Sequence, residues 1–223
     1  MPKVPVSFQM SYNQMRITIG CIGLFMPLFV CLGAYFFEGI PLLDSISAYY
    51  YTKMRDIFVG ILFIVGVFLI FYSAYDDKID NWITNFAGLF AICIGVFPMD
   101  PSYHPNVLND SINILGSQCY QNHGPLGFHM LAASAFFVLI GILTIFRFTK
   151  SNDSNRNYVY ILCGSVMLIS IVWIFFAKLH EQSASIFWPE TFAIISFTAA
   201  WLIKGGAYAT INNGSRVLLK RLF

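Results

Sequence analysis

Charge is what this sequence has least of. Asp, Glu, Lys and Arg make up 11% of its 223 residues, against about a quarter in an average soluble domain. That is too little to cover the surface of a water-soluble globule of this size. Cysteine is sparse, and its five residues are odd in number, which excludes a disulfide scaffold. There is no nucleotide-binding glycine loop, no serine-nucleophile elbow, no HExxH or HxxxH, no GxxxG and no internal repeat. The apolar runs lack the alternation of a membrane barrel. What the chain does have is apolar bulk: 57% hydrophobic and 17% aromatic residues, with a mean hydropathy of +0.68. That excludes disorder, which needs a chain poor in such residues.

A bilayer core needs about 20 apolar residues in a helix, and helices are required because unpaired backbone groups are intolerable in hydrocarbon. Six stretches fit: 17–37, 57–75, 82–97, 126–148, 158–177 and 187–203. The third is short and stops at Pro98; the sixth ends at Lys204-Gly205-Gly206. The expected fold is therefore all-α, a polytopic transmembrane helix bundle forming one domain over residues 1–223. The first apolar run reads as a retained span: it is too long for a cleavable signal peptide, and no small-residue cleavage site follows it.

Orientation follows from Lys and Arg placement. With six spans both termini share a side. That side carries ten basic residues, and the other carries only Lys53, Arg55 and Lys178. The termini are expected to be cytoplasmic. Acidic residues invert the trend, so a modest net charge of +2 hides a strong asymmetry between the faces. The inner basic residues suit anionic lipid, not nucleic acid. Trp82 and Trp188 at span starts, and Tyr75, Tyr158 and Tyr160 at span ends, read as interfacial anchors. Ala87, Ala91 and Gly95 make a smooth stripe on span three where another helix can approach.

All four histidines fall on the expected outer side. His104 and His123 lie in the loop 99–125, His129 sits about one turn inside span four, and His180 lies just beyond span five. The first outer loop runs Asp44-Ser45-Ile46-Ser47-Ala48-Tyr49-Tyr50-Tyr51-Thr52-Lys53-Met54-Arg55-Asp56. Asp44 or Ser45 is placed to cap a short interfacial helix whose three tyrosines keep rings in lipid and hydroxyls in water. Asp56 at the start of span two suits the helix macrodipole; the sharper reading makes it an inward-facing carboxylate. His129, in an otherwise apolar span, either hydrogen-bonds a neighbouring helix or lines a cavity. Glu190 follows Trp188-Pro189, an ordinary helix opening. The second outer loop has helix-like spacing over 107–115.

Zinc needs three or four converging nitrogen, sulfur or oxygen ligands. His123, His129 and His180 are the nitrogen donors on hand, with Asp56 or Glu190 as carboxylates, but no tight spacing demands a metal. Four of the cysteines lie within spans and behave as small apolar residues.

The run Ser45-x-Ser47-x-Tyr49-Tyr50-x-Thr52-x-x-Arg55-Asp56-x-Phe58-Val59-Gly60 resembles a segment of an uncharacterised bacterial family of polytopic membrane proteins, a domain-of-unknown-function family. The likeness continues through Phe97-Pro98, His129 with Phe136-Phe137, and Glu190 with Trp201 to Gly205. The resemblance implies that Ser45, Ser47, Tyr49, Tyr50, Arg55, Asp56, His129 and Glu190 form one motif set, and it implies a bacterial inner membrane. A remoter similarity is to membrane hydrolases of the alkaline-ceramidase and progestin-receptor type. Those have seven spans and a histidine pair on the last, where this chain has six and none.

The expected function is an integral membrane protein whose polar outer-face cavity binds a small molecule or lipid headgroup, with hydrolysis as the enzyme class if the bound species is processed. The rival readings are a small-solute transporter, which needs more mid-membrane polarity than these spans show, and a non-catalytic assembly or sensor subunit.

Overall fold

In the computed structural model, residues 6–72, 78–99, 127–150, 153–180 and 185–206 are described, with side chains from residue 13 onward. Among them are six α-helices: α1 (Val6–Glu38), α2 (Arg55–Phe71), α3 (Lys78–Val96), α4 (Phe128–Leu143), α5 (Ser154–His180) and α6 (Phe187–Lys204). A single 3₁₀ turn, Ser47–Tyr51, lies between α1 and α2, and a π-helical turn, Thr144–Phe148, extends α4. No strand occurs among the described residues.

Each helix packs on its sequence neighbours, and α6 returns to pack on α1, so the six close into a ring in chain order. Neighbours are antiparallel. Gly66 of α2 meets Gly88 and Ile92 of α3, while Gly95, farther along α3, meets Leu62, earlier in α2. Gly20 of α1 lies against Leu202 near the end of α6. The glycines set the spacing where the helices touch: a Cβ on Gly88 would stand 2.5 Å from the Gly66 carbonyl oxygen. The Ala87–Ala91 stripe is fully buried in this packing, as helix approach through small residues requires.

The outside of the ring is apolar. Phe36, Phe37, Phe71, Phe146, Ile169 and Trp173 are exposed, and water-soluble monomers rarely present so many large apolar side chains to solvent. Asn13–Glu38, Lys78–Val96, Phe128–Phe148 and Ser154–His180 are each long and apolar enough to cross a membrane. The chain is a membrane protein on that ground. Trp82, Trp188 and Tyr158 point outward near helix ends, as interfacial anchors should.

Several elements differ from the expected spans. α1 begins well before residue 17. α2 stops at Phe71 rather than Tyr75, because Tyr72 turns to an extended conformation. The Tyr72 hydroxyl accepts from Arg16 Nη2 at 2.7 Å, and its carbonyl accepts from the Thr84 hydroxyl. Tyr160, expected as an anchor, is buried edge-on against Phe148. Tyr49, Tyr50 and Tyr51 are likewise buried, not interfacial: their turn folds inward over the ring. Burial holds the Tyr49 hydroxyl above the ordinary phenol range, and a contact with Cys31 adds to the shift. Ile46 holds the formal cap position of this turn without a side-chain bond, and Ser45, one residue earlier, serves the turn's start: its Oγ accepts from the Ser47 N–H. Tyr75, His104, Cys119, His123 and the helical stretch expected over 107–115 lie outside the described residues.

Candidate functional site

The ring encloses a cavity of ≈ 140 Å³ whose wall takes residues from all six helices. Most of that wall is apolar: Met26 of α1, Phe58 and Leu62 of α2, Ile94 of α3, Phe136 of α4 and Phe197 of α6 are representative. The few polar side chains that reach it are Ser47, His129, Ser134, Lys178 and Glu190. Four of these five lie toward one end of the ring, where α1, α3 and α5 finish and α2, α4 and α6 begin.

The opposite end is shut by aromatic packing. Phe197 borders the cavity and touches Trp201, which also packs edge-on against Phe68, Tyr72 and Phe148. Beyond this floor lies a basic rim. Lys204 stands over the Phe148 ring, Arg16 bonds Tyr72, and Arg147 pairs with Asp80.

Glu190 organises the polar end. It sits in the first turn of α6, one residue after Pro189. Its carboxylate accepts from the Ser45 hydroxyl at 2.8 and 2.9 Å and from the Ile46 N–H at 2.6 Å. The Ser47 hydroxyl donates to it at 3.4 Å. Ser45 Oγ in turn accepts from the Ser47 N–H at 3.1 Å. The Ile186 N–H donates to the Asp44 carbonyl at 2.7 Å in the same region. The 44–47 segment is thereby tied to the start of α6, which joins the first helix pair to the last.

His129 is the second residue of α4 and is only 8% exposed. Its Nδ1 is 2.7 Å from the Phe97 carbonyl oxygen at the end of α3. A carbonyl can only accept, so Nδ1 carries the proton and donates. Nε2 is buried and finds no partner among the described residues. Tyr51 holds the same segment from the other side, its hydroxyl donating to the Met99 carbonyl. Residues 97–99 are therefore clamped between the 3₁₀ turn and α4.

Lys178 was not among the residues the sequence singled out. It occupies the last turn of α5, is 5% exposed and lies in the electrostatic field of Glu190 and Asp44. Its position at the end of an apolar span gave it the look of an orientation charge. The signal that could have found it was its isolation: it is the one basic residue at the outer end of span five.

The expected motif set thus divides. Ser45, Ser47 and Glu190 form one hydrogen-bonded unit, and Ser47, His129 and Glu190 share the cavity wall. Tyr49 and Tyr50 are buried in the turn that supports it. Tyr49 Oη accepts from the Leu43 N–H. Arg55 lies 3.5 Å from Asp56 and over the Tyr50 ring. The Asp56 side chain is 91% exposed, so the geometry does not bring it to His129 or Glu190. His180 is exposed at the end of α5. Among the described residues no three His, Cys, Asp or Glu side chains group as metal ligands would.

Chemically, the site is an apolar chamber with an imidazole, an amine and a carboxyl side chain at its polar end. No family model matches the chain, nor does any curated protein or solved structure.

Proposed function

We propose that the protein is a six-span integral membrane protein, termini cytoplasmic, whose cavity opens toward the outer face and binds a small amphipathic molecule or a lipid headgroup with part of its chain. One observation carries this reading: a chamber bounded by all six helices, apolar through most of its wall, with Ser47, His129, Lys178 and Glu190 gathered at one end. Ligand sites take this form, an apolar lining with a few placed polar groups. The floor at Phe197 and Trp201 favours binding over passage, because a transporter needs a polar route past the midplane. α2 and α6, with 17 and 18 residues, are short for spans, and a ring whose other four helices cross carries them through with little tilt or slight thinning of the bilayer. The rim at Arg16, Arg147 and Lys204 supports the basic end as cytoplasmic.

The run from Ser45 to Gly60 supports membership of the uncharacterised bacterial family, with residence in the inner membrane. A hydrolytic step on the bound molecule would use His129 as its acid–base group.

The reading is tested by mass spectrometry of small molecules released from the purified protein. Wild type is expected to release one amphipathic species in roughly stoichiometric amount. Ala133→Trp, which fills the chamber at a wall residue, is expected to lose it while eluting as a folded bundle. Equal release from both would place any bound molecule outside the cavity and defeat the reading.

A further inference from the structure

The basic end of the ring, beyond the aromatic floor, holds two donors with nothing to donate to. Lys204 closes α6 with its ammonium 4.7 Å from the centre of the Phe148 ring and 6.0 Å from that of Tyr160. Among the described residues it has no hydrogen bond and no acidic partner. Tyr160, near the start of α5, is 2% exposed. Its ring packs edge-on against Phe148, and its hydroxyl also lacks a hydrogen-bond partner among the described residues. Both donor atoms keep a surface that a ligand can touch: neither belongs to the unpartnered atoms that the fold seals off, as His129 Nε2 and Trp201 Nε1 do.

The two donors share one field. Arg16 and Arg156 act on Lys204, and the same two guanidinium groups act on Tyr160. Arg16 is steadied by Asn13 and by the Tyr72 hydroxyl, and Arg156 by Asp153 at 3.0 Å. The acid that attracts Lys204 is Asp80, which is already taken by Arg147. Among the described residues this end carries six basic side chains and two acidic ones.

Such an arrangement is costly when left alone. Ring faces offset part of the desolvation of an ammonium, but like charges drawn together in a dry setting need an anion to offset the rest. An ammonium and a phenol O–H, with no acceptor beside them, suit an oxyanion with several oxygens. Basic pockets between helices at the membrane surface bind lipid headgroups on this principle. Outward-pointing cations that serve orientation alone would not need a phenol hydroxyl turned to the same place.

We propose that the basic end of the ring is a phosphate site, in which Lys204 Nζ and Tyr160 Oη donate to the phosphate oxygens and Arg16 and Arg156 supply the surrounding positive field. The phosphate belongs either to an anionic lipid of the leaflet at that end or to a soluble anion. The site lies on the far side of the Phe197–Trp201 floor from the chamber and is independent of what the chamber binds.

The test is native mass spectrometry of the full-length protein released from nanodiscs made of equal parts phosphatidylglycerol and phosphatidylcholine. The latter carries the same phosphate with its charge cancelled. A second arm measures the thermal midpoint in lipid-free detergent with inorganic phosphate, against chloride at equal ionic strength. Wild type is expected to retain one phosphatidylglycerol in preference to phosphatidylcholine. Tyr160→Phe removes no charge and no internal hydrogen bond, so its fold should stand. It and Lys204→Gln are each expected to weaken retention by roughly tenfold or more, the worth of a hydrogen bond to a charged group. Lys78→Gln, which removes an exposed cation at the same end, is expected to leave retention unchanged. Stabilisation by inorganic phosphate that Tyr160→Phe abolishes, without any lipid preference, would uphold the site and assign it to a soluble anion. Equal weakening by Lys78→Gln and Lys204→Gln, with none by Tyr160→Phe, would overturn it in favour of diffuse attraction to the whole basic face. Neither lipid preference nor phosphate stabilisation in wild type would overturn it outright.

Discussion

Replacing Glu190 should loosen the whole polar end of the ring, and the size of the effect should depend on what replaces it. Glu190→Ala strands the Ile46 N–H, which now donates at 2.6 Å and is fixed by the backbone. The Ser45 and Ser47 hydroxyls can rotate to other acceptors. A buried donor left unmatched costs about 1–3 kcal/mol, and losing the two hydroxyl bonds adds to that, so a total of roughly 2–4 kcal/mol is expected. Glu190→Gln keeps a carbonyl oxygen for Ile46 and turns its amide toward the Ser47 hydroxyl, which can accept. Only charge assistance is lost, about 1 kcal/mol. For a chain of this length each kcal/mol moves the melting midpoint by about 2–4 °C, which retention on size exclusion after heating resolves in detergent. Ser45→Ala should cost about 1–2 kcal/mol alone and less on top of Glu190→Ala, where only the bond from the Ser47 N–H remains to be lost. Equal effects of Gln and Ala, or strict additivity with Ser45→Ala, would refute the view that this carboxylate ties the 45–47 segment to α6.

Two further substitutions probe the frame around the site. Gly88→Val puts a Cβ 2.5 Å from the Gly66 carbonyl oxygen, where backbone cannot yield, and should cost about 1–3 kcal/mol or more; Gly60→Ala, which meets nothing within 4 Å, should leave stability unchanged or raise it by up to about 1 kcal/mol, both read from thermal midpoints. Tyr51→Phe removes the donor to the Met99 carbonyl and should cost about 1 kcal/mol, with faster amide hydrogen exchange in the peptide containing Phe97 to Met99.

Much of the frame was legible because lipid imposes a simple rule on sequence. Apolar runs of sufficient length marked the helices within a few residues at most ends, and the Ala87–Ala91 stripe marked a close contact. Tertiary partners account for the misplaced ends. α2 gives way at Tyr72, where a hydroxyl serves Arg16 from a helix far away in sequence. The tyrosines at 49–51 have the composition of an interfacial belt, and nothing local says that the turn folds inward. At the site, a histidine inside an apolar span announced itself, and the structure gives it both a neighbouring-helix partner and a place on the cavity wall. Glu190 read as helix-start chemistry because Pro189 explains it locally; its bonds to Ser45 and Ile46 span more than 140 residues and no local pattern encodes them. Asp56 stayed open between a helix-start residue and an inward carboxylate for a related reason: an Asp beside an Arg at a helix start looks the same whether it points in or, as here, out.

The account stands most directly on which mouth of the ring faces out. In a background without native cysteines, Lys53→Cys, exposed in the loop before α2, and Ser154→Cys, exposed at the start of α5, are offered to a membrane-impermeant thiol reagent in intact cells. Labelling of Lys53→Cys before lysis, and of Ser154→Cys only after it, is the predicted pattern. The reverse pattern would put the His129–Lys178–Glu190 end in the cytoplasm, and labelling of both in intact cells would contradict a chain that carries these two positions to opposite sides of a membrane.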